Sequence, residues 1–393
     1  MTTRPILVAG AGIAGLSLAL ALARRGIATR LLERRAVLSE AGAGIQLGPN
    51  ATHVLDRLGV ASRLAPLSGR PEAIMVAAGR SGAHLARLPL GDAIDRRFGS
   101  PYLVAHRADL QAVLLDAVRE SPLIECVLGF EVAGWHHDGV AVVATSSDGK
   151  ETHGTLLVGA DGIWSAVRRT LFPSAMPTYA GKMAARTVIP TAAVPARFAS
   201  NVTGVWLSPD AHVVHYPVRA GQEIAVVAVV DEAVPREGWG GAIEATSVLA
   251  RLIGFSPELV GFLGLATEWR AWSLYDPAPL PAWSKDRVGL MGDAAHPILP
   301  FFAQGGGMAL EDAETLARLI EGAAGRPEQA FSRFEALRRE RVLRVQTASR
   351  ANGKTFHLDG FPAQARDTTL RLAPGALMMR RYDWLYGWNG DAI

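Results

Sequence analysis

Three groups of residues have types and spacings that could do chemistry. The first is the glycine set Gly10, Gly12 and Gly15 in VAGAGIAGLSLALALARR, followed by the acid Glu33. Such spacing can cradle a pyrophosphate, with the acid accepting hydrogen bonds from a ribose about 20 residues on. The second is Asp293 in DRVGLMGDAAHPILPFFAQGGGMALEDA, with Gly305, Gly306 and Gly307 after it. The third is AHVVHYPV, which carries His212, His215 and Tyr216. These side chains can hold, accept or donate a proton.

The first stretch also has the look of a signal peptide, with an arginine before it and an apolar run. The placement of the glycines decides against export. A signal core is a helix, and glycines early in it weaken a helix. PILVA reads as a buried strand, LSLALALARRG as a helix stopped at Gly26, and IATRLLERR as a second strand ending at Glu33. Strand, glycine turn, helix, strand and acid form one βαβ unit, whose helix N-terminus offers free N–H groups to phosphate. Gly10 permits the turn, Gly12 admits the pyrophosphate, and Gly15 allows close helix–strand packing. The helix is too short to cross a bilayer.

The second group separates NAD from FAD. TLLVGADGIWSAVRR places a strand before Gly159–Gly162 and a helix with Arg168 and Arg169 after it. In DRVGLMGDAAHP a strand ends at Gly292 and Asp293, and a helix opens near Gly305. A carboxylate for ribitol hydroxyls and a helix N-terminus for a reduced flavin ring suit FAD, which extends beyond its pyrophosphate.

GAGIAG, GADG with its RR, and GDAAHP…AQGGGMALEDA together resemble the three fingerprints of the single-component (group A) FAD-dependent aromatic hydroxylases. The closing DWLYGW is similar to the salicylate hydroxylase branch. The likeness runs from Pro5 to about Arg350 and extends to 3-hydroxybenzoate and 6-hydroxynicotinate hydroxylases. It implies an α/β fold: a Rossmann-type, p-hydroxybenzoate hydroxylase-like FAD-binding domain with an inserted, mainly antiparallel β-sheet substrate domain and a C-terminal helical segment. The expected boundaries are 1–73, 98–182 and 280–350 for the FAD domain, 74–97 and 183–279 for the substrate domain, and 351–393 for the helical segment.

The resemblance implies non-covalent FAD held by Gly10, Gly12, Ala14, Gly15, Glu33, Arg34, Gln46, Arg107, Val132, Asp161, Asp293, Pro300, Gly305, Gly306, Gly307 and Met308. Gln46 lies in GAGIQLGPNA (Gly42–Ala51), the segment expected along the flavin. Arg107, in HRADLQ, read from its residues alone is equally a solvated charge before a helix from about Ala108 to Arg119. The implied reaction takes NADH or NADPH as co-substrate, without a second Rossmann unit, and O2. It hydroxylates an aromatic substrate, expected to be a phenolic acid, through a flavin C4a-hydroperoxide. A reductase on the same fold, or a binding protein lacking redox function, is the alternative.

From Met183 to Pro279 the pattern turns to strands, with a helix expected near Ala242–Ile253. Along AHVVHYPV, His212, Val214 and Tyr216 share one face while Val213 and His215 share the other. Either His212 with Tyr216, or His215 alone, can face the flavin. Related hydroxylases carry His and Tyr four apart here, so the resemblance favours His212 as base, with Tyr216 and Gln304 orienting the substrate and His215 as second choice. Pro297, Pro300, Phe301 and Phe302 offer an apolar wall that excludes water. In hydroxynicotinate hydroxylases the position of Gln46 is a histidine, which weakens a pyridine substrate.

The 393 residues suffice for two or three domains. Net charge is +3 with scattered basic residues, which argues against a nucleic-acid partner. Cys126 is the only cysteine and is read as an inert strand residue; with ten histidines lacking ligand spacing, no metal is expected. RPEQAFSRFEALRRERVLRVQTASR reads as a helix with one packed face and one solvated arginine face. No membrane contact, a cytoplasmic location, and a monomer or homodimer complete the expectations.

Overall fold

The computed structural model describes residues 4–38, 44–323 and 326–391. Strand Ile6–Ala9 lies between Leu157–Gly159 and Thr29–Glu33, parallel to both, in a six-stranded sheet. Ile124–Leu128 extends one edge, and Val288–Leu290 with the short Ser284–Lys285 the other. A strand covered on both faces reads as continuous apolar sequence, which is why ILVA shows no alternation. Helix Ile13–Ala23 follows the glycine turn and is buried along nearly its whole length.

An eight-stranded sheet forms the second layer, in the order Gly241–Ile243, Trp269–Tyr275, Tyr179–Pro190, Glu223–Asp231, Ala211–Val218, Thr203–Leu207, Ala73–Ala78 and His84–Pro89. Every neighbouring pair is antiparallel except Thr203–Leu207 with Ala73–Ala78. One face meets the cofactor-binding half. The other carries its own apolar core, in which Val213 and Val226 pack with Val248, Leu259 and Phe262.

The helix expected near Ala242–Ile253 is shorter: Gly241–Ile243 is an edge strand and the helix covers Ala245–Ala250. A further helix, Pro257–Leu263, begins with Ser256 accepting the Leu259 N–H and a proline in its first turn. The long helix runs from Gln329 to Phe356, and its arginine face is not wholly solvated. Arg338 is only 2% exposed and pairs with Glu311 and Asp312. Helical periodicity assigns arginine to water by type, and a buried acid pair on the neighbouring helix Gly305–Gly322 overrides that assignment. Three short helices (Gly360–Leu372, Gly375–Arg380, Asp383–Tyr386) close the chain. No helix among the described residues is long and apolar enough to cross a membrane.

Candidate active site

The glycine turn is built by close approach. Gly10 has φ +101°, and a Cβ there would lie 2.6 Å from the Ala160 carbonyl oxygen. A Cβ on Gly15 would lie 1.8 Å from the Gly10 oxygen, so only glycine lets the helix start against the turn. Gly12 differs: a Cβ there meets nothing within 4 Å. It borders two cavities, of about 260 and 290 Å³, which meet at Gly12, Ala160 and Gly162.

Gly10, Gly12, Glu33, Arg34, Val132, Asp161 and Arg169 line the larger of the two. Glu33 also holds the turn, since Oε2 accepts the Ala11 N–H at 2.8 Å and Oε1 the Arg35 N–H at 3.0 Å. Asp161 accepts the Ala166 N–H at 2.7 Å at the start of the helix Ala166–Leu171. Arg168 is buried and donates to the Ala294 carbonyl at 3.1 Å, tying this helix to the Asp293 loop.

Ala14, Gln46, Arg107, Asp293, Pro300, Gln304, Gly305 and Gly306 line the other cavity. Arg107 begins helix Arg107–Glu120 and faces this cavity, not bulk solvent. Burial pushes the Asp293 carboxyl up, while Arg107, His296 and Arg168 pull it down. Gln304 is buried and accepts from Asn50 at 3.0 Å. Gly307 and Met308 do not line the cavity; the Met308 N–H bonds to the Gln304 carbonyl within the helix. Of Gly42–Ala51, Gly42 and Ala43 lie outside the described residues.

The trough fits FAD. Gly12 leaves open space where a pyrophosphate must approach, and Glu33 lies at one end. At the other the Asp293 carboxylate, open to the cavity, and a helix starting at Gly305 face a space that takes a ring system.

A third cavity, of about 410 Å³, shares Gln46, His212, Val214, Pro300 and Ala303 with the flavin-side cavity. Its walls are largely apolar: Val76, Val205, Leu207, Phe301, Phe302 and Tyr382. Phe302 stacks on Tyr382, with ring centroids 5.7 Å apart, so the C-terminal segment closes the pocket. Pro297 is not on this wall; its carbonyl accepts from Gln346 on the long helix.

His212 stands at the junction of the two cavities and Tyr216 on the flavin side, its ring 2.4 Å from where a Gly44 Cβ would be. Strand alternation puts His215 on the opposite face, packed edge-on against Phe198 and Phe262. Burial lowers its pKa to about 4, and it lines neither cavity. His215 therefore faces away from the candidate site. Cys126 is half-buried, and burial raises its thiol pKa. Among the described residues, no cluster of His, Cys, Asp and Glu could hold a metal.

Sequence reading missed Tyr102, whose hydroxyl donates to Gln46 Oε1 at 2.6 Å and so turns the amide nitrogen of Gln46 elsewhere. It also missed His357, whose Nε2 lies 2.9 Å from His212 Nδ1. Nothing local signals a partner 145 residues away in the chain.

Residues 3–349 match the family model described as FAD binding domain. The chain is 35% identical over 391 residues to the 3-hydroxybenzoate 6-hydroxylase of Polaromonas naphthalenivorans (strain CJ2), covering 98% of this chain and 96% of that one. It is 36% identical over 383 residues to the 3-amino-4-hydroxybenzoate 2-monooxygenase of Streptomyces cremeus, covering 97% and 94%. A salicylate hydroxylase solved as its substrate complex superimposes with a TM-score of 0.83 at 25% identity, over 98% of this chain and 96% of that chain. With a trough shaped for FAD and a family match across most of its length, the chain belongs to the FAD binding domain family and is a flavin-dependent aromatic hydroxylase.

Proposed function

We propose that the substrate is a phenolic aromatic acid, bound in the 410 Å³ cavity with its hydroxyl at His212. The observation carrying this reading is the position of His212, shared by the flavin-side cavity and a largely apolar pocket. Relatives named for 3-hydroxybenzoate and 3-amino-4-hydroxybenzoate support it. Against a 6-hydroxynicotinate substrate, the name of another relative, stands Gln46, an amide that neither gains nor loses a proton near neutral pH.

Bound in the trough, FAD supplies electron transfer from NAD(P)H and activation of O2. The chain's own residues do the rest. Asp293 and Arg107 hold the flavin side. Phe301, Phe302 and Tyr382 keep water from the reacting ring. His212 holds the phenolic oxygen, and Tyr216 and Gln304 border the flavin side of the junction. We assign the substrate carboxylate to Arg381, a cation on the cavity wall whose guanidinium makes no hydrogen bond or ion pair to a described residue. Residues 74–97 and 183–279 form the substrate domain in this reading. It puts the enzyme in the cytoplasm, where NAD(P)H is supplied.

The test uses FAD-loaded protein with 3-hydroxybenzoate, 3-amino-4-hydroxybenzoate, salicylate and 6-hydroxynicotinate. NADH or NADPH oxidation, O2 uptake and products are followed together. The expected result is faster oxidation with a phenolic acid and a ring-hydroxylated product. Oxidation with no oxygen in any product would overturn the reading in favour of a reductase.

A further inference from the structure

A chain of polar side chains runs from His212 to the protein surface. His212 Nδ1 lies 2.9 Å from His357 Nε2, His357 Nδ1 lies 3.1 Å from Lys182 Nζ, and Lys182 is ion-paired with Asp231. His212 is 3% exposed, His357 is half-buried, and the Asp231 carboxylate is in solvent. His212 Nε2 makes no hydrogen bond to a described residue, which leaves it for a ligand.

Both imidazoles are neutral at physiological pH. Burial, then His357 and Lys182, hold His212 well below the usual histidine range. Burial, then Lys182, lowers His357 to about 4, with Asp231 and Asp210 opposing and Arg366 adding to the fall. A neutral imidazole has one N–H and one lone pair, whereas an ammonium has donors only. Lys182 must therefore donate to His357 Nδ1. That puts the His357 proton on Nε2, pointing at His212 Nδ1, and leaves the His212 proton on Nε2. These tautomers are assigned from the network. Each N–H in the chain points toward the cavity.

We propose that Lys182 and His357 are positioning residues that fix His212 as a hydrogen-bond donor, so that the site takes its phenolic substrate as the phenolate. This inference rests on the phenolic-acid reading and replaces the base role that the resemblance implied for His212. With Nε2 carrying the proton, His212 has no lone pair for a phenol and does not act as the base. The phenolic O–H breaks on binding, its electron pair stays on oxygen and the proton goes to buffer. The oxyanion then accepts the His212 Nε2–H. Nothing is oxidised or reduced in this step. The negative charge raises the electron density of the ring, which electrophilic hydroxylation requires.

The test uses FAD-loaded protein and 3-hydroxy-4-nitrobenzoate, a phenolic acid whose phenolate is coloured. Its ionisation is followed by difference absorbance against pH, free and bound. In the wild type the bound probe should ionise about one pH unit or more below the free probe. Lys182→Arg, also a donor-only cation, should keep that shift. Lys182→Met and His357→Phe should abolish it while flavin content stays unchanged, which a merely structural role would not produce. Variants that ionise the probe as the wild type does would overturn the inference. A wild type that binds the probe yet ionises it as in free solution would overturn it and leave the phenolic-acid reading standing. Failure to bind the probe at all would overturn both.

Discussion

His296 Nε2 lies 2.7 Å from an Asp312 carboxylate oxygen, with both side chains buried. The same oxygen accepts the Gly292 N–H at 2.9 Å, and Arg338 Nε donates to the other at 2.8 Å. Asp312 thus ties the Asp293 loop to the helix Gly305–Gly322 and to the long helix behind it. Burial alone would raise its carboxyl; His296, Arg338 and the Gly292 N–H outweigh burial and hold it below the ordinary value. Removing one member of such a network leaves buried charge uncompensated.

Asp312→Asn should therefore cost about 3 kcal/mol in urea unfolding near neutral pH. The native pKa is below the unfolded one, so this contribution is present above the unfolded carboxylate pKa of about 3.9 and is lost as pH falls through the native value. The gap between variant and wild type should narrow in acid. A variant as stable as the wild type at pH 7 would refute the assignment.

Two glycines of one turn should fail differently. A Cβ on Gly15 would stand 1.8 Å from the Gly10 carbonyl oxygen, so Gly15→Ala should lower stability and flavin content together. Gly12 has open space around it, so Gly12→Ala should fold as the wild type does yet lose FAD affinity. Thermal unfolding of apoprotein with flavin titration separates the two. A Gly12→Ala protein that retains flavin would remove the pyrophosphate from that position.

This contrast also marks how far the sequence could be read. The glycine turn, Glu33 and Asp293 are local motifs, with backbone geometry and charge written within a few dozen residues. The alternation of AHVVHYPV narrowed the choice to one face or the other without saying which faced the flavin. Arg338, His357 and Tyr102 escaped because their partners lie elsewhere: Glu311 and Asp312, His212, and Gln46. Arginine in a helix reads as surface, and only tertiary packing says otherwise.

His215 should be dispensable for chemistry. It packs against Phe198 and Phe262, and its Nδ1 is buried with no hydrogen bond. His215→Leu should keep turnover. Its native pKa of about 4 lies below the unfolded value of about 6.5, so the unfolded chain binds the extra proton. Native stability should then fall as pH drops from about 6.5 toward 4, by up to about 3 kcal/mol, and His215→Leu should lessen that fall. Denaturation midpoints across this pH range provide the check; parallel curves for the two proteins would contradict it.

Arg381 should matter to the carboxylate and not to the flavin. Arg381→Ala is expected to raise KM for an accepted aromatic acid by about tenfold or more, the equivalent of about 1.5 kcal/mol for a charge-assisted hydrogen bond. The matching phenol without a carboxylate should be used equally by variant and wild type. If both substrates lose equally, Arg381 only supports the fold of the C-terminal segment.

His212→Ala is the decisive variant for the chemistry. The side chain sits where the two cavities join, and its loss removes the one imidazole both share. As a donor to a charged oxygen it should be worth about 10²-fold or more in kcat for hydroxylation. Flavin affinity should change much less, because Asp293, Arg107 and the glycine turn remain. Reduction of flavin by NAD(P)H should continue, so the variant should consume reductant while forming little hydroxylated product. Measuring product against NAD(P)H consumed distinguishes this from a general loss of activity. His212→Gln, whose amide can also donate, should recover part of the product yield, whereas a lone-pair base would not be replaced by an amide. Full hydroxylation by His212→Ala would move the phenolic oxygen to Tyr216 or Gln304, two neutral polar groups that line the same flavin-side cavity.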